Sequence, residues 1–455
     1  MPARRRLLVT LSGELHTKSR RTSRWFHRVL LGNLRSALAD RCSDAEVLRE
    51  GRRVYIEGPD LVRAAEVTAT VFGVHRVDLG VDVPAEDLDV LTSQVAELAR
   101  ERIRGRTFAV RVRRRGTHDW SSLDAADAIG AALVRDSAGV DLDDPEVEVR
   151  VEVYADVAFV PVRDWDGPGG APIGTQDRTL ALLSGGFDSP VAAWMLMRRG
   201  SPVHFLHFTL ECAASDHAMV VAQELWRHWG AGYAPTLWKV DFEPVRDALF
   251  EHTPSRLRQV VLKQLMFATA DRLAEQLGVG ALVTGESVGQ VSSQTLHHLG
   301  EIDSVVNRTV LRPLAGFTKD EIIERSRRIG TEALSARAKE VCDLSDGPVA
   351  VAAETETLVA ARDALPNHLV DDALQRLEAV SLAHWSPGAP LVPIMTTVPE
   401  QTRVVREDEN LPSAGALAFP GVRQLGRASA VLKEGRDVIV IPEEVDRGPE
   451  MEQAS

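Results

Sequence analysis

Residues 179–208 read TLALLSGGFDSPVAAWMLMRRGSPVHFLHF and carry the clearest fold signal in the chain. The apolar run from Thr179 to Leu183 predicts a buried strand. The segment from Pro190 to Arg199 predicts a helix, because proline suits a first helical turn and Gly200 follows the end. Val203 to Phe208 predicts a second strand. Together they form a βαβ unit, which predicts a parallel sheet with its ligand at the carboxyl ends of the strands.

The turn from Ser184 to Pro190 (SGGFDSP) lies between the first strand and the helix. Its glycines let backbone N–H groups approach an anion, and the positive end of the helix favours negative charge there. It lacks the lysine of the GxxxxGK[ST] loop. Asp188 follows the glycines, and a carboxylate that faces phosphates is tolerated when a cation lies between them. No metal site built from protein alone is expected, because the phosphates would share the cation with this carboxylate.

Composition limits the class of protein. The 455 residues suggest about three domains, and 44% hydrophobic and 26% charged residues are typical of a globular chain. No apolar run is long enough to cross a bilayer, and the short run from Leu7 to Leu11 is interpreted as a strand. Cys42, Cys212 and Cys342 form no CxxC pair that could hold zinc or an iron–sulfur cluster. A reducing, cytoplasmic location is expected.

Charge is distributed unevenly. The formal net charge is −13, which argues against a surface that coats nucleic acid uniformly. Arginine and lysine nevertheless crowd residues 4–35 and 100–115. This asymmetry favours a polyanion-binding front attached to an acidic body, because phosphate contacts need a local field. The alternative is that these arginines are solvated surface residues.

The pattern of strands, helices and breakers divides the chain into α/β segments. Strand and helix patterns alternate before residue 165, which predicts a mixed sheet covered by helices. The run 164–174 (DWDGPGGAPIG) has no periodicity and is interpreted as a linker. The predicted divisions are a small α/β domain at 1–60, a second at 61–165, a linker at 166–175, a parallel-sheet domain at 176–385 and a tail at 386–455.

Several separate motifs, in order, resemble the bacterial tRNA sulfurtransferase (4-thiouridine synthetase, ThiI) family over roughly the first 385 residues. The heptapeptide at 184–190 is itself similar to the SGGxDS loop of PP-loop ATP pyrophosphatases. The other motifs are Gly13-Glu14 with residues 24–38, LLSGGFDSPVAAWMLMRRG (182–200), LVTGESVGQVSSQTL (282–296), LRPLAGFTKDEIIERSRRIGTE (311–332) and Glu340-Val341-Cys342.

The resemblance implies a fold and a nucleotide site. The fold is α/β, with a ferredoxin-like domain, an RNA-binding THUMP domain and a PP-loop domain of the adenine nucleotide alpha hydrolase type. For Lys263, a solvated helix lysine is the alternative to a phosphate contact. The ATP-binding residues implied are Leu182, Leu183, Ser184, Gly185, Gly186, Asp188, Ser189, Lys263, Gly285 and Gln294.

Cys342 stands where the family places the cysteine of its PP-loop domain, and a thiolate or persulfide is needed at the adenylated carbon. Asp188 and Cys342 are therefore the predicted catalytic residues. Cys212 is either a resolving partner or, more simply, a buried thiol. Family members that resemble enterobacterial enzymes add a rhodanese domain with its own cysteine. This tail has none after Cys342 and is expected to be a degenerate rhodanese-like segment, so the sulfur must come from a cysteine desulfurase or another persulfide donor.

RNA contacts are expected from the front of the chain. The segment RVRRRGTHDW (111–120) resembles the end of a THUMP strand, and THUMP domains are expected to recognise the shape of A-form RNA. The predicted RNA-binding residues are Arg111, Arg113, Arg114, Arg115 and Lys319. Lys319 and Arg312 could face RNA or nucleotide phosphates, or could be ordinary helix-start and strand-end residues.

The predicted function is an ATP-dependent tRNA sulfurtransferase that adenylates a uridine and transfers persulfide sulfur to make 4-thiouridine. Its expected partners are tRNA, ATP with Mg²⁺ and a persulfide donor, and a homodimer is expected from the family. Two alternatives stay open: a PP-loop enzyme that adenylates a small molecule, and a non-catalytic tRNA-binding protein. The basic front argues against the first, and Asp188, Lys263 and Cys342 together argue against the second.

Overall fold

The computed structural model describes residues 4–15, 17–51, 53–211, 216–338, 344, 347 and 349–388, together with the backbone of four later strands. It divides into two compact units, Met1–Pro172 and Ile173–Ser455. Cys212, Cys342 and most of the tail lie outside the described residues. Within the described part, no helix is both long and apolar enough to span a bilayer.

The first unit alternates strands and helices around one sheet. Its sheet order is β2-β3-β1-β4-β8-β7-β5-β6, antiparallel except for the parallel pairs β7–β5 and β5–β6. The elements are β1 (Arg5–Leu11), α1 (Arg20–Arg41), β2 (Glu46–Glu50), β3 (Arg53–Glu57), α2 (Leu61–Thr68), β4 (Val74–Pro84), α3 (Leu88–Ile103), β5 (Thr107–Arg115), α4 (Ser122–Leu133), β6 (Gly139–Val140), β7 (Val147–Tyr154) and β8 (Val157–Asp166).

Strand β4 links the two predicted front domains. It pairs with β1 on one side and with β8 on the other, so the sheet is continuous across residue 60. The division of the front at that residue stays a prediction. Helices α3 and α4 bury Leu91, Val95 and Ile129 against the valines of β7. Burial of these apolar faces is the main stabilising contribution to the unit.

Some boundaries differ from the sequence-based expectation. The helix expected from Pro190 to Arg199 runs from Asp188 to Arg198. Helix α3 begins at Leu88, because the Asp87 carboxylate accepts hydrogen bonds from the Asp89 and Val90 N–H groups and caps it there. The expected linker begins later than residue 164. Asp164 and Trp165 pair with Asp78 and Val77 of β4, so β8 runs on to Asp166. Cross-strand pairing there outweighs the turn-forming composition.

The second unit is built on a parallel sheet. Its elements before the tail are β9 (Thr179–Leu182), α5 (Asp188–Arg198), β10 (Val203–Thr209), α6 (His217–Trp229), β11 (Thr236–Asp241), α7 (Glu243–His252), α8 (Ser255–Gln276), β12 (Ala281–Val283), α9 (Leu296–Asp303), β13 (Thr309–Leu311), α10 (Lys319–Ile329), α11 (Glu332–Ser335), α12 (Thr355–Asp363), α13 (Leu369–Gln375) and β14 (Glu378–Ser381). The backbone of the tail adds β15 (Val392–Met395), β16 (Arg403–Arg406), β17 (Ser429–Lys433) and β18 (Arg436–Ile441).

The sheet order β13-β12-β9-β10-β11-β14-β15-β17-β18-β16 locates the ligand-binding edge. Strands β13, β12, β9, β10 and β11 are parallel, which confirms the sheet type predicted from the βαβ unit. From β9 the chain adds β10 on one side and later β12 on the other. In open parallel sheets, ligands bind at such a switch point, outside the carboxyl ends of the strands.

Candidate active site

The phosphate-type loop follows β9 at this switch point. Gly185 has a φ of 81°, a left-handed conformation that glycine adopts without strain. The Ser184 N–H donates to the Ser189 hydroxyl oxygen (3.1 Å), which closes the loop onto the first turn of α5. Phe187 at the N-cap supplies no side-chain cap, so the N–H groups of this helix end are not occupied by a capping side chain. The geometry is that of an anion-binding helix N-terminus.

Gly285 brings the end of β12 against the same helix turn. A Cβ atom at this position would lie 2.6 Å from the Ser189 nitrogen and 2.6 Å from the Asp188 carbonyl carbon. Only glycine allows this approach without moving the backbone. The residues after β12 are therefore part of the same site as the loop after β9.

Asp188 has two side-chain partners at the loop. The Lys319 ammonium lies 2.7 Å from Asp188 Oδ1, and the Gln290 amide donates to Oδ2 at 3.0 Å. The Asp188 side chain keeps 22% of its surface exposed, so it remains accessible to a ligand. Lys319, which was predicted as an RNA contact, thus lies at the phosphate-type loop in the second unit.

Glu286, next to Gly285, is a buried carboxylate between two cations. Lys263 of α8 contacts Oε1 at 2.8 Å, and Arg312 contacts Oε2 through Nε at 2.9 Å. The other edge of the Arg312 guanidinium binds both carboxylate oxygens of Asp303, at 2.7 and 2.8 Å. This bidentate geometry fixes the plane of the guanidinium.

Local electrostatics support the positive charge of Arg312. Burial disfavours its charged form, but the hydrogen bonds that the guanidinium donates to Asp303 and the charges of Glu286 and Asp303 outweigh this effect and raise the pKa of Arg312. Beside the loop, burial lowers the pKa of His207. His207 Nδ1 lies 2.8 Å from the Leu183 carbonyl oxygen, an arrangement that suits a neutral ring donating this hydrogen bond.

The other predicted nucleotide residues lie at the same strand ends. Leu182 ends β9 and Leu183 follows it, Gly186 follows Gly185 in the loop, and the buried Gln294 accepts a hydrogen bond from the Ser287 N–H (3.2 Å). The sequence interpretation missed Glu286, Gln290, Asp303 and Ser335. Of these four residues, only Glu286 could have been predicted from the sequence, because it lies next to Gly285 in the GES motif directly after a strand.

The segment that contains Cys342 is anchored on both sides of the undescribed residues. Upstream, the Ser335 hydroxyl donates to the Gly186 carbonyl oxygen of the loop (3.1 Å). Downstream, the Leu344 carbonyl accepts from Arg258 of α8 (3.4 Å), and the Ala350 N–H donates to the Arg256 carbonyl (3.1 Å). Both ends of the segment are therefore tied to elements of the candidate site.

The predicted RNA contacts of the first unit lie on β5. Arg111 is engaged with Glu148 (3.3 Å) and with the Leu142 carbonyl, and Arg114 lies beside His118 and over the Trp120 ring. Arg113 and Arg115 are exposed, and no hydrogen bond or ion pair joins their side chains to the described residues. Of the predicted arginines, these two are the ones available to a polyanion.

A metal site made by protein side chains alone is absent from the described residues, where no three His, Cys, Asp or Glu side chains cluster suitably. A single carboxylate at a phosphate-binding loop can still hold Mg²⁺ if the phosphates supply the other ligands. Mg²⁺ is commonly held by one or two carboxylates together with the phosphates of its nucleotide. Asp188 meets that requirement.

The fold and the site define a class: a nucleotide-binding enzyme of the PP-loop type, preceded in the same chain by an α/β unit with an arginine-rich strand. Residues 7–77 match the ThiI ferredoxin-like domain, residues 85–163 match the THUMP domain, and residues 174–365 match the family described as thiamine biosynthesis protein (ThiI). These matches agree with the predicted fold class, which is thereby confirmed.

Curated relatives carry one function in their names. A tRNA sulfurtransferase of Desulfurococcus amylolyticus is 40% identical over 385 residues, which cover 84% of this chain and 79% of that one. A tRNA sulfurtransferase of Escherichia coli O139:H28 is 37% identical over 358 residues, covering 77% and 74%. A solved 4-thiouridine synthetase in complex with RNA and ATP superposes with a TM-score of 0.71 at 25% identity, covering 83% and 99%. The chain belongs to the tRNA sulfurtransferase (ThiI) family.

Proposed function

We propose that this chain is an ATP-dependent tRNA sulfurtransferase that makes 4-thiouridine, with ATP bound at the loop 184–190 and sulfur carried by Cys342. The observation that supports it most is the placement of Asp188. Its carboxylate lies at an anion-binding helix end, where it is joined by Lys319, and the loop lies at the switch point of the parallel sheet. The small-molecule and non-catalytic alternatives account less well for the THUMP match and for the names of the relatives.

The first chemical step is adenylation. A uridine carbonyl oxygen attacks the α-phosphate of ATP and pyrophosphate leaves, which converts a poor leaving group into AMP. The loop N–H groups and the end of α5 hold the phosphates, and Lys319 and Lys263 offset their charge. Mg²⁺ would be held by Asp188 and the phosphates, and it would supply charge neutralisation at the departing pyrophosphate.

The second step is sulfur transfer. The terminal sulfur of a persulfide on Cys342 attacks the adenylated carbon, and AMP leaves with the former carbonyl oxygen. A second thiol then attacks the sulfur–sulfur bond, which releases 4-thiouridine and leaves a disulfide that a thiol reductant reduces. The chain length supports this role, because the seven residue-to-residue steps from Ser335 to Cys342 span at most about 25 Å when extended. Ser335 itself contacts the loop.

Finer features are part of the same proposal. The persulfide comes from a cysteine desulfurase or a comparable donor. The tail derives from a rhodanese-like segment, the enzyme acts in the cytoplasm and it forms a homodimer. The relatives include a protein of the archaeon Aeropyrum pernix as well as proteins of enterobacteria. The resemblance is therefore not confined to bacterial members of the family.

Two variants separate the two steps. Asp188→Ala is expected to lower tRNA-dependent ATP–pyrophosphate exchange by about a hundredfold or more, the scale found when one electrostatic stabilising group is removed. Cys342→Ser is expected to preserve exchange and to abolish 4-thiouridine, measured by mass analysis of tRNA nucleosides.

Cys42→Ser is the matched control, because Cys42 lies in the first unit and burial raises the pKa of its thiol, which disfavours the reactive thiolate. It should leave both measurements unchanged. Full thiouridine yield from Cys342→Ser would remove Cys342 from the reaction. Undiminished ATP–pyrophosphate exchange by Asp188→Ala would show that the loop 184–190 does not carry out adenylation.

A further inference from the structure

Four side chains of alternating charge form a chain of contacts at the end of β12: Lys263, Glu286, Arg312 and Asp303. Their successive closest contacts are 2.8, 2.9 and 2.7 Å. Burial is uneven along the chain. The Glu286 side chain is 5% exposed, Lys263 17% and Arg312 12%, while Asp303 at the far end is 42% exposed.

Glu286 is the side chain that most needs a paired cation. A carboxylate at 5% exposure has lost most of its hydration, so removing every cation from it would strongly destabilise the fold. Glu286 has two cations, one on each oxygen. Either of them can leave while the other keeps the carboxylate paired.

Of the two cations, Lys263 is held by fewer contacts. It is joined to Glu286 by one contact of a flexible ammonium, whereas Arg312 is held on two edges, by Glu286 and by both oxygens of Asp303. Glu286 adjoins Gly285, whose backbone lies against Asp188 and Ser189. The contact between Lys263 and Glu286 is therefore one residue along the chain from the glycine that packs against the phosphate-type loop.

We propose that Arg312, fixed by Asp303, is a positioning residue that keeps Glu286 paired and so lets Lys263 move from Glu286 to the phosphates of bound ATP. The inference rests on the proposed function in one respect, the use of Lys263 as a phosphate contact. Without Arg312, Lys263 becomes the sole cation of a buried carboxylate and stays with it.

ATP binding to the full chain, measured by isothermal titration calorimetry with ATP and MgCl₂, tests the proposal. Arg312→Gln is expected to raise the Kd for ATP about tenfold, because Lys263 is retained by Glu286. In the double variant Glu286→Gln/Arg312→Gln the carboxylate charge is gone, so Lys263 is released. The Kd should return to within about threefold of that of the unmodified chain.

This rescue distinguishes positioning from a merely structural role. If Arg312 only supported the fold, removal of a second buried partner would leave binding as weak or weaker, and that result would overturn the proposal. Arg308→Gln is the matched control. It removes another arginine bound to a buried carboxylate, Asp271, away from the loop, and it should leave the Kd unchanged.

Lys263→Ala separates this inference from the function on which it rests. If Lys263→Ala leaves the Kd unchanged, Lys263 does not contact ATP, and the positioning role proposed for Arg312 is overturned as well. If Lys263→Ala raises the Kd but Glu286→Gln does not restore the Kd of Arg312→Gln, Lys263 still contacts ATP, and only the positioning role of Arg312 is overturned. Should Arg312→Gln fail to fold, Asp303→Asn with and without Glu286→Gln provides the same comparison, because Asp303 lies at the surface.

Discussion

Asp188 places a negative charge where negatively charged phosphates are expected to bind, and Lys319 compensates for it. Lys319 is the first residue of α10, where the positive end of the helix dipole disfavours a lysine. The contact of 2.7 Å with Asp188 offsets that cost. This arrangement suits a lysine that moves between a carboxylate and a ligand phosphate.

Lys319→Gln is therefore expected to weaken ATP binding about tenfold and to leave tRNA affinity unchanged, because the variant lacks a cation at the nucleotide loop. Calorimetry with ATP and a filter-binding assay with tRNA give the two constants. Lys239→Gln, which removes a lysine paired with Glu378 elsewhere on the unit, is the control. If tRNA affinity falls while ATP affinity does not, Lys319 is an RNA contact as the sequence suggested.

Single residues were predictable where they belong to a local motif. Ser184, Gly185, Asp188 and Ser189 follow from a glycine-rich turn between a strand and a helix, and the structure places them together at one loop. Asp303 was not predictable. It lies 17 residues after Glu286 in the chain and becomes relevant only because both contact Arg312 in the folded unit.

At the scale of elements, the apolar pattern predicted the strand, helix and strand that carry the loop. Thr318 and Glu321 form a capping box at the start of α10, which corresponds to a T-x-x-E pattern in the sequence. The Glu321 carboxylate accepts a hydrogen bond from the Thr318 N–H, which lowers its pKa. Strand β11 and its antiparallel partner β14 were not predicted. They are separated by more than a hundred residues, and their pairing has no local signal.

The start of α9 is tied to the segment that follows Cys342. His298 is fully buried; its Nε2 accepts from the Ala353 N–H (3.0 Å), and its Nδ1 lies 2.8 Å from the Ser292 carbonyl oxygen. A neutral ring with its proton on Nδ1 satisfies both contacts. The adjoining His297 contacts the Ala353 carbonyl at 2.6 Å. This anchor holds the described residues downstream of Cys342 against the site.

His298→Leu is expected to lower the free energy of unfolding by about 1–3 kcal/mol, since it leaves a buried N–H and a buried carbonyl without partners. Urea unfolding of the full chain gives the value. His298→Gln retains one donor and one acceptor and should recover part of it. His368→Ala, at an exposed histidine near Asp372, is the control with no expected change. Equal stability of His298→Leu and the unmodified chain would show that the anchor contributes nothing.

For the whole molecule, the net charge of −13 must be reconciled with a polyanionic substrate. A repulsive average field is tolerable when a local group of cations makes the contacts, because charges beyond about 8–10 Å are screened at physiological salt. Each of the two units supplies its own exposed cations. In the first unit these include Arg113 and Arg115 of β5.

Arg113→Ala with Arg115→Ala is therefore expected to weaken tRNA binding and to reduce the slope of log affinity against log salt by roughly 0.7–0.9 for each phosphate that no longer meets a guanidinium. ATP affinity should stay the same, because the nucleotide loop belongs to the second unit. Arg104→Ala is the control, since Arg104 is exposed at the end of α3 but paired with Glu101. A salt slope unchanged in the double variant would mean that these guanidiniums release no counterions, and the RNA-binding face would then have to be sought on other cations of the chain.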